Sequence, residues 1–163
     1  MIQTLSRYQP IVLSLLRFYV GLSIMQHGTA KILGFPPGAG LGSPAVGTLS
    51  WTGGMIELIG GALMLFGLFT RPAAFILSGF CAVAYFMVHA PNSFFPIINK
   101  GELAAVYSFV FFYLIFAGAG PISLDAILRK KAELHEEGLA SGRRRGRWRD
   151  PSLHCTTRRS VML

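Results

Sequence analysis

Charge is scarce in this chain: Asp, Glu, Lys and Arg make up 13% of it, about half the roughly 25% of an ordinary soluble domain. Cysteine is scarcer, with Cys81 and Cys155 far apart in the sequence. There is no C-x-x-C pair and no Cys/His spacing of a zinc site, so thiol–disulfide exchange and structural zinc have no basis here. Nucleotide-binding loops, haem-attachment motifs and serine nucleophile elbows are also missing. What the chain has in abundance is hydrophobic residues, at 52%.

The few charges are unevenly spread. Residues 1–128 hold five basic and three acidic side chains, a net of +2. Residues 129–163 supply the remaining +6 of the total of +8. The basic character therefore belongs to the tail. Because the tail adjoins an apolar body, attraction to anionic lipid explains it better than nucleic acid, which is not expected as a partner.

Four apolar stretches dominate the body, at about 11–26, 51–69, 73–88 and 103–119. A bilayer crossing takes about 20 residues of helix, so the first and third need a few flanking residues. A soluble helix keeps a polar face; the runs 58–69 and 109–116 have none. Gly- and Pro-rich residues 34–48, the turn Thr70-Arg71-Pro72, residues 89–101 and Gly118-Ala119-Gly120-Pro121 separate or end the stretches. A signal peptide is excluded for the first stretch, since Arg17 interrupts it and three more follow. The expected fold is all-α: a four-helix transmembrane bundle over residues 1–134. Arg7, Arg71, Arg129, Lys130 and Lys131 then share one side, against Lys31 and Lys100 on the other. The positive-inside rule places both termini in the cytoplasm. Residues 135–163 form a second segment, basic and weakly periodic, expected to be disordered; it also reads as a read-through or frameshifted end.

Ionisable residues inside a membrane span are costly and turn inward. At 100° per residue, Ser14, Arg17, Gly21 and Gly28 share a face, as do Gly53, Gly60 and Gly67 with Glu57 beside them. Ser78, Ala82, Tyr85 and His89 form a third stripe, and Glu102, Val106, Phe109 and Tyr113 a fourth. Depth groups His27, Lys31, Glu57, His89 and Glu102 at the outer mouth, with Gln26 and Asn92 nearby. Arg17 lies deeper and meets Glu57 if helix tilt closes the gap. Two functional readings follow: hydrogen bonding to a quinone head group, or transition-metal binding by two His and two carboxylates. No H-x-x-H or E-x-x-H spacing supports a metal, and none is expected. The plainer alternative is that Arg17–Glu57 is a structural ion pair, His27 and His89 are interfacial, and Glu102 is a helix N-terminal acid.

The stretch LLRFYVGLSIMQHGTAKILGF (15–35), Glu57-Leu58 with the IGGALMLFGLFTRPAA that follows, Glu102 opening the last apolar run, and GAGPISLDAIL (118–128) together resemble the DoxX family of small bacterial membrane proteins. The resemblance covers about residues 12–128. It implies a four-helix bundle in the bacterial inner membrane and points to Arg17, His27, Lys31, Glu57, Arg71 and Glu102. Some members are linked to quinone-coupled sulfur oxidation, others to oxidative-stress complexes. It thereby implies a small membrane subunit of a redox assembly, with quinone as the cofactor to look for and a soluble redox protein as partner. No catalytic residue follows from it, and a family name is not an enzyme assignment. A small-molecule or ion transporter and a non-catalytic scaffold are the alternatives. The glycine stripes suit homo-oligomers as well as internal packing.

Overall fold

The computed structural model describes residues 5–39 and 44–147. Their regular structure is entirely helical, joined by turns and loops, with no strand among them. Helix α1 is Gln9–Ile32, α2 Leu49–Phe66 and α3 Thr70–Ala84. A π-helical turn (Tyr85–His89) and a 3-10 turn (Ala90–Asn92) prolong α3. The four-residue α4 is Pro96–Asn99, α5 is Glu102–Ala117 and α6 is Leu124–Arg147. The apolar stretches thus become α1, α2, α3 with its turns, and α5. Three of these are long and apolar enough to cross a membrane; α5, at 16 residues, is shorter.

Local chemistry sets the helix ends. Pro10 sits in the first turn of α1, where a missing N–H costs nothing. Thr48 caps α2 by accepting from Trp51 N–H at 3.3 Å. Gly67 closes α2 in the left-handed region (φ +66°). Leu68 N–H bonds Leu63 O at 3.0 Å and Gly67 N–H bonds Met64 O at 3.2 Å, a Schellman ending.

The helices pack as antiparallel pairs. Along α1 and α2, Gly21 meets Met64–Leu65, Gly61 meets Met25, and Gly28 meets Gly54 and Leu58. A Cβ on Gly28 would lie 2.4 Å from Leu58 N and one on Gly61 2.7 Å from Met25 N. These are backbone atoms, so the helices touch main chain to main chain, as small residues permit in lipid. The contact uses Gly54 and Gly61; the Gly53 and Gly60 of the expected stripe face Phe80 and Leu77 of α3 instead. Along α3 and α5, Ser78 and Ser108 each donate to the other's carbonyl, at 2.9 and 3.1 Å.

The core is small: Val20, Ile24, Met64, Leu77, Tyr107, Phe111 and Leu114 are its main members. The outer surface is greasy, with Phe86 69% and Phe109 76% exposed. Patches of that kind are foreign to soluble monomers. The α1 stripe of Ser14, Arg17, Gly21 and Gly28 is buried as expected. The α5 stripe is not the interior one: Val106, Phe109 and Tyr113 are exposed, while Tyr107, Phe111 and Leu114 point inward. On a helix without polar contrast, periodicity does not choose a face.

The expectation of disorder after residue 134 fails over residues 135–147, which continue α6. Leu, Ala, Glu, Lys and Arg dominate its earlier turns, and all are strong helix formers. Residues 148–163 lie outside the described part. Residues 1–126 and 127–163 are separate compact units.

The packing makes a signed prediction for thermal unfolding in detergent. Gly28→Ala and Gly61→Ala each force two backbones apart and should destabilise by about 1–3 kcal/mol, the usual cost of overpacking. Gly79 on α3 has nothing within 4 Å of an added Cβ, so Gly79→Ala should stabilise by up to about 1 kcal/mol through helix propensity.

Candidate functional site: two polar ends of an apolar body

Antiparallel packing puts the start of α1, the end of α2, the start of α3 and the end of α5 at one end, here called proximal. The opposite end, with the close of α1, the start of α2 and the π-helical turn, is distal. Polar groups concentrate at each end.

At the proximal end Arg17 is buried, 2% exposed. Its guanidinium donates to four main-chain carbonyls: Met64, Leu65 at 2.9 Å, Ala119 at 2.9 Å and Ile122 at 2.6 Å. Leu65 O is left open by the ending of α2, and Met64 O also accepts from Gly67 N–H; the other two carbonyls belong to the loop after α5. Only a guanidinium has enough rigid, diverging donors to serve both at once. The tight loop depends on Gly120 at φ +73°, where a Cβ would strike Ser14 Oγ. Ser14 Oγ also accepts from Ile122 N–H at 3.3 Å.

Asp125 completes this end. It accepts from Phe69 N–H and Thr70 N–H, both at 2.9 Å, and its own N–H donates to Gly67 O at 2.9 Å. Phe69 holds a left-handed backbone (φ +49°), uncommon for a bulky residue; the clamp from Asp125 keeps it there. The carboxylate thereby caps α3 from a distant helix, favoured by the helix dipole. Burial alone would raise the Asp125 carboxyl. Hydrogen bonds from Thr70 and Phe69, with the Arg17 guanidinium nearby, hold it below the ordinary carboxylate value. Ser123 caps α6, accepting from Ala126 N–H at 3.1 Å. Arg71 is exposed beside Gly118 and makes no hydrogen bond or ion pair among the described residues.

At the distal end Lys31 Nζ bonds both carboxylate oxygens of Glu57 at 2.8 Å. Glu57 is buried, and the Lys31 side chain is 19% exposed. The expected Arg17–Glu57 pair is therefore corrected. Met64 and Leu65, which hold Arg17, lie two helical turns from Glu57, about 10 Å along the axis. Lys31 comes level with Glu57 where Gly54 lets α1 approach; a Cβ on Gly54 would lie 3.0 Å from Lys31 Cβ.

The remaining members of the expected outer cluster are not joined to this pair. His27 is half-buried one turn below Lys31 and has no hydrogen bond among the described residues. The His89 ring Nδ1 lies 3.0 Å from Asn99 O, and the ring stacks on Tyr85. Glu102 is exposed in the first turn of α5. Gln26 is exposed, and Asn92 bonds Val88 O. Among the described residues no group of three His, Cys, Asp or Glu converges as a metal site would require.

Sequence reasoning missed Asn99, which organises the distal loop. It is buried, donates to Ser93 O at 2.8 Å and accepts from Gly101 N–H at 2.7 Å. An Asn in a loop carries no periodicity to single it out. Asp125 stood inside a quoted motif without a role. Its position two residues after a capping Ser was the available signal.

With this geometry in view, the comparisons can be read. The family model for DoxX matches residues 12–90. The span includes the buried Arg17 and Glu57 and the half-buried Lys31. The chain belongs to the DoxX family. This DoxX protein is similar to an uncharacterized protein of Haemophilus influenzae, with 47% identity over 131 residues covering 78% of this chain and 98% of the relative. A second uncharacterized Haemophilus influenzae protein is 35% identical over 74 residues, 45% of this chain and 49% of the relative. No solved structure matches. Family and apolar helices together make this a membrane protein.

Two predictions follow. Lys31→Met and Glu57→Leu should each destabilise by about 3–5 kcal/mol because each strands a buried charge, and the double variant should lose less than either; denaturant unfolding in micelles measures the cycle. Asp125 binds its proton more weakly folded than unfolded. Its contribution is full above the unfolded value of about 3.9 and is lost as pH falls through the lower folded value. The stability gap between the native protein and Asp125→Asn should therefore shrink on acidification, as melting across the acid range would show.

Proposed function

We propose that this DoxX protein crosses the bacterial inner membrane four times, with both termini in the cytoplasm, as a small membrane subunit of a redox assembly. Three helices have the length for a crossing. The fourth, α5, would span about 24 Å at 1.5 Å per residue, against about 30 Å of hydrocarbon. Bilayer thinning and flanking residues cover mismatches of that size.

Charge placement supports the orientation. Arg7 and Arg71 belong to the proximal end, and Arg129, Lys130 and Lys131 follow the proximal Asp125 in sequence. The distal end has Lys31 and Lys100, and Lys31 is neutralised by Glu57. The proximal end is therefore the cytoplasmic one.

The observation that carries the functional part is the buried Lys31–Glu57 pair, with an unbonded His27 one turn below. A half-buried ammonium paired with a carboxylate, with an imidazole one helical turn away, suits hydrogen bonding to a quinone carbonyl, with a soluble redox protein docking from outside. The redox assignment itself comes from the family resemblance. A second reading has an observation of its own: Arg17, Lys31, Glu57 and Asp125 all find partners within the chain. On that reading the charges serve assembly alone, and the protein is a scaffold.

Protein purified in mild detergent should carry co-extracted quinone, and its quinone content should fall at least about tenfold in the Lys31→Met/Glu57→Leu variant, the loss expected from about 1.4 kcal/mol of binding energy. Absence of quinone from a folded, native preparation contradicts the redox reading. Equal quinone in the variant removes the distal pair from it. For the crossings, single cysteines at Arg7, Arg71 and Asn92 in a cysteine-free background should divide in whole cells. Asn92→Cys should react with an impermeant maleimide, and the other two only after lysis.

A further inference from the structure

The first turn of α6 is pinned, while residues 127–134 carry an exposed apolar face. Asp125, in that turn, is held by Phe69, Thr70 and Gly67 at the proximal end. Ile127, Leu128 and Leu134 are 62%, 54% and 60% exposed. At 100° per residue, Leu124, Ile127, Leu128 and Leu134 fall within a sector of about 120°. Glu133, Glu136 and Glu137 fall on the opposite side, and Lys131 within the apolar sector. A Lys there can lay its stem on apolar surface and lift its ammonium to the head groups.

We propose that α6 lies in the cytoplasmic surface of the bilayer as an amphipathic strap, its apolar face in the acyl boundary and Lys130 and Lys131 on anionic lipid head groups. Three observations select lipid over a second copy or a protein partner. Asp125, two residues before Ile127, is bonded at the proximal end of the body, so chain continuity alone starts the strap near the membrane surface. The charge beside the apolar sector is complementary: Lys131 falls within it and Lys130 close to its edge, while Arg129 falls on the opposite side. The acidic residues occupy the face turned from the apolar sector, where they avoid the negative surface. An amphipathic helix with basic residues flanking its apolar face is the pattern of interfacial binding. The strap rests on the membrane reading and not on the redox one.

The full chain tests this in nanodiscs, with Cys81→Ser and Cys155→Ser and a single cysteine at Leu134 or Glu136 carrying an environment-sensitive fluorophore. In discs containing phosphatidylglycerol, a lipid-borne quencher should quench the Leu134 position at least about twofold more than the Glu136 position, as one-sided burial requires. The difference should shrink in phosphatidylcholine discs, at high salt, and on replacing Lys130 and Lys131 with Gln. Equal quenching at the two positions, or no dependence on anionic lipid, overturns the strap. So does efficient inter-chain disulfide formation by the unlabelled Leu134→Cys variant together with a label that is insensitive to the quencher, which assigns the face to a second copy. Both leaflets of a nanodisc have the same composition, so a wrong membrane orientation would not alter these results; the whole-cell labelling detects that error separately.

Discussion

A guanidinium without water must be bonded by the protein, and Arg17 is bonded by main-chain carbonyls from two separate places. An α-helix leaves its last carbonyls open, and in hydrocarbon each would be costly. The ending of α2 and the loop after α5 both present such groups. Arg17 serves both, so one side chain of α1 ties the first helix pair to the second. Asp125 works alongside it by supplying the acceptor that the start of α3 lacks. The proximal end is thereby a closed exchange of donors and acceptors between chain ends far apart in sequence.

The distal end follows the same rule by a different route. Lys31 and Glu57 neutralise each other across a glycine-lined contact. Each close approach of α1 and α2 is needed elsewhere along the pair: without Gly28 and Gly61 the helices would stand further apart and the ammonium would not reach the carboxylate. Packing and electrostatics are therefore one constraint in this molecule. The chemistry left over is modest. Among the described residues His27 and Glu102 make no side-chain hydrogen bond or ion pair, and no convergent metal donor set is found.

Much of this was legible in the sequence, and the illegible part has a pattern. The apolar runs gave the helices to within a few residues, because a run of 16 or more such residues has little alternative. The inward face of α1 was legible because Ser14, Arg17, Gly21 and Gly28 differ sharply from their neighbours. On α5 every face is apolar, and the chosen stripe was the wrong one. Arg17 was rightly placed inside but wrongly partnered. Its acceptors are backbone carbonyls, which have no letter in the sequence, and the axial register of α1 on α2 is set by glycine contacts that periodicity does not resolve. Asn99 was invisible for the same reason, since its work is done on loop main chain. The helical course of residues 135–147 was obscured by weighing arginine as a sign of disorder when it is also a good helix former.

The central claim is that Arg17 joins two distant chain segments into one proximal structure. Hydrogen exchange by mass spectrometry on the full protein in nanodiscs tests it most directly, by comparing the native chain with Arg17→Met. Exchange should rise together in residues 64–70 and 118–126 while the distal residues 52–60 keep their protection. A rise confined to one of the two proximal segments, or none in either, would contradict it.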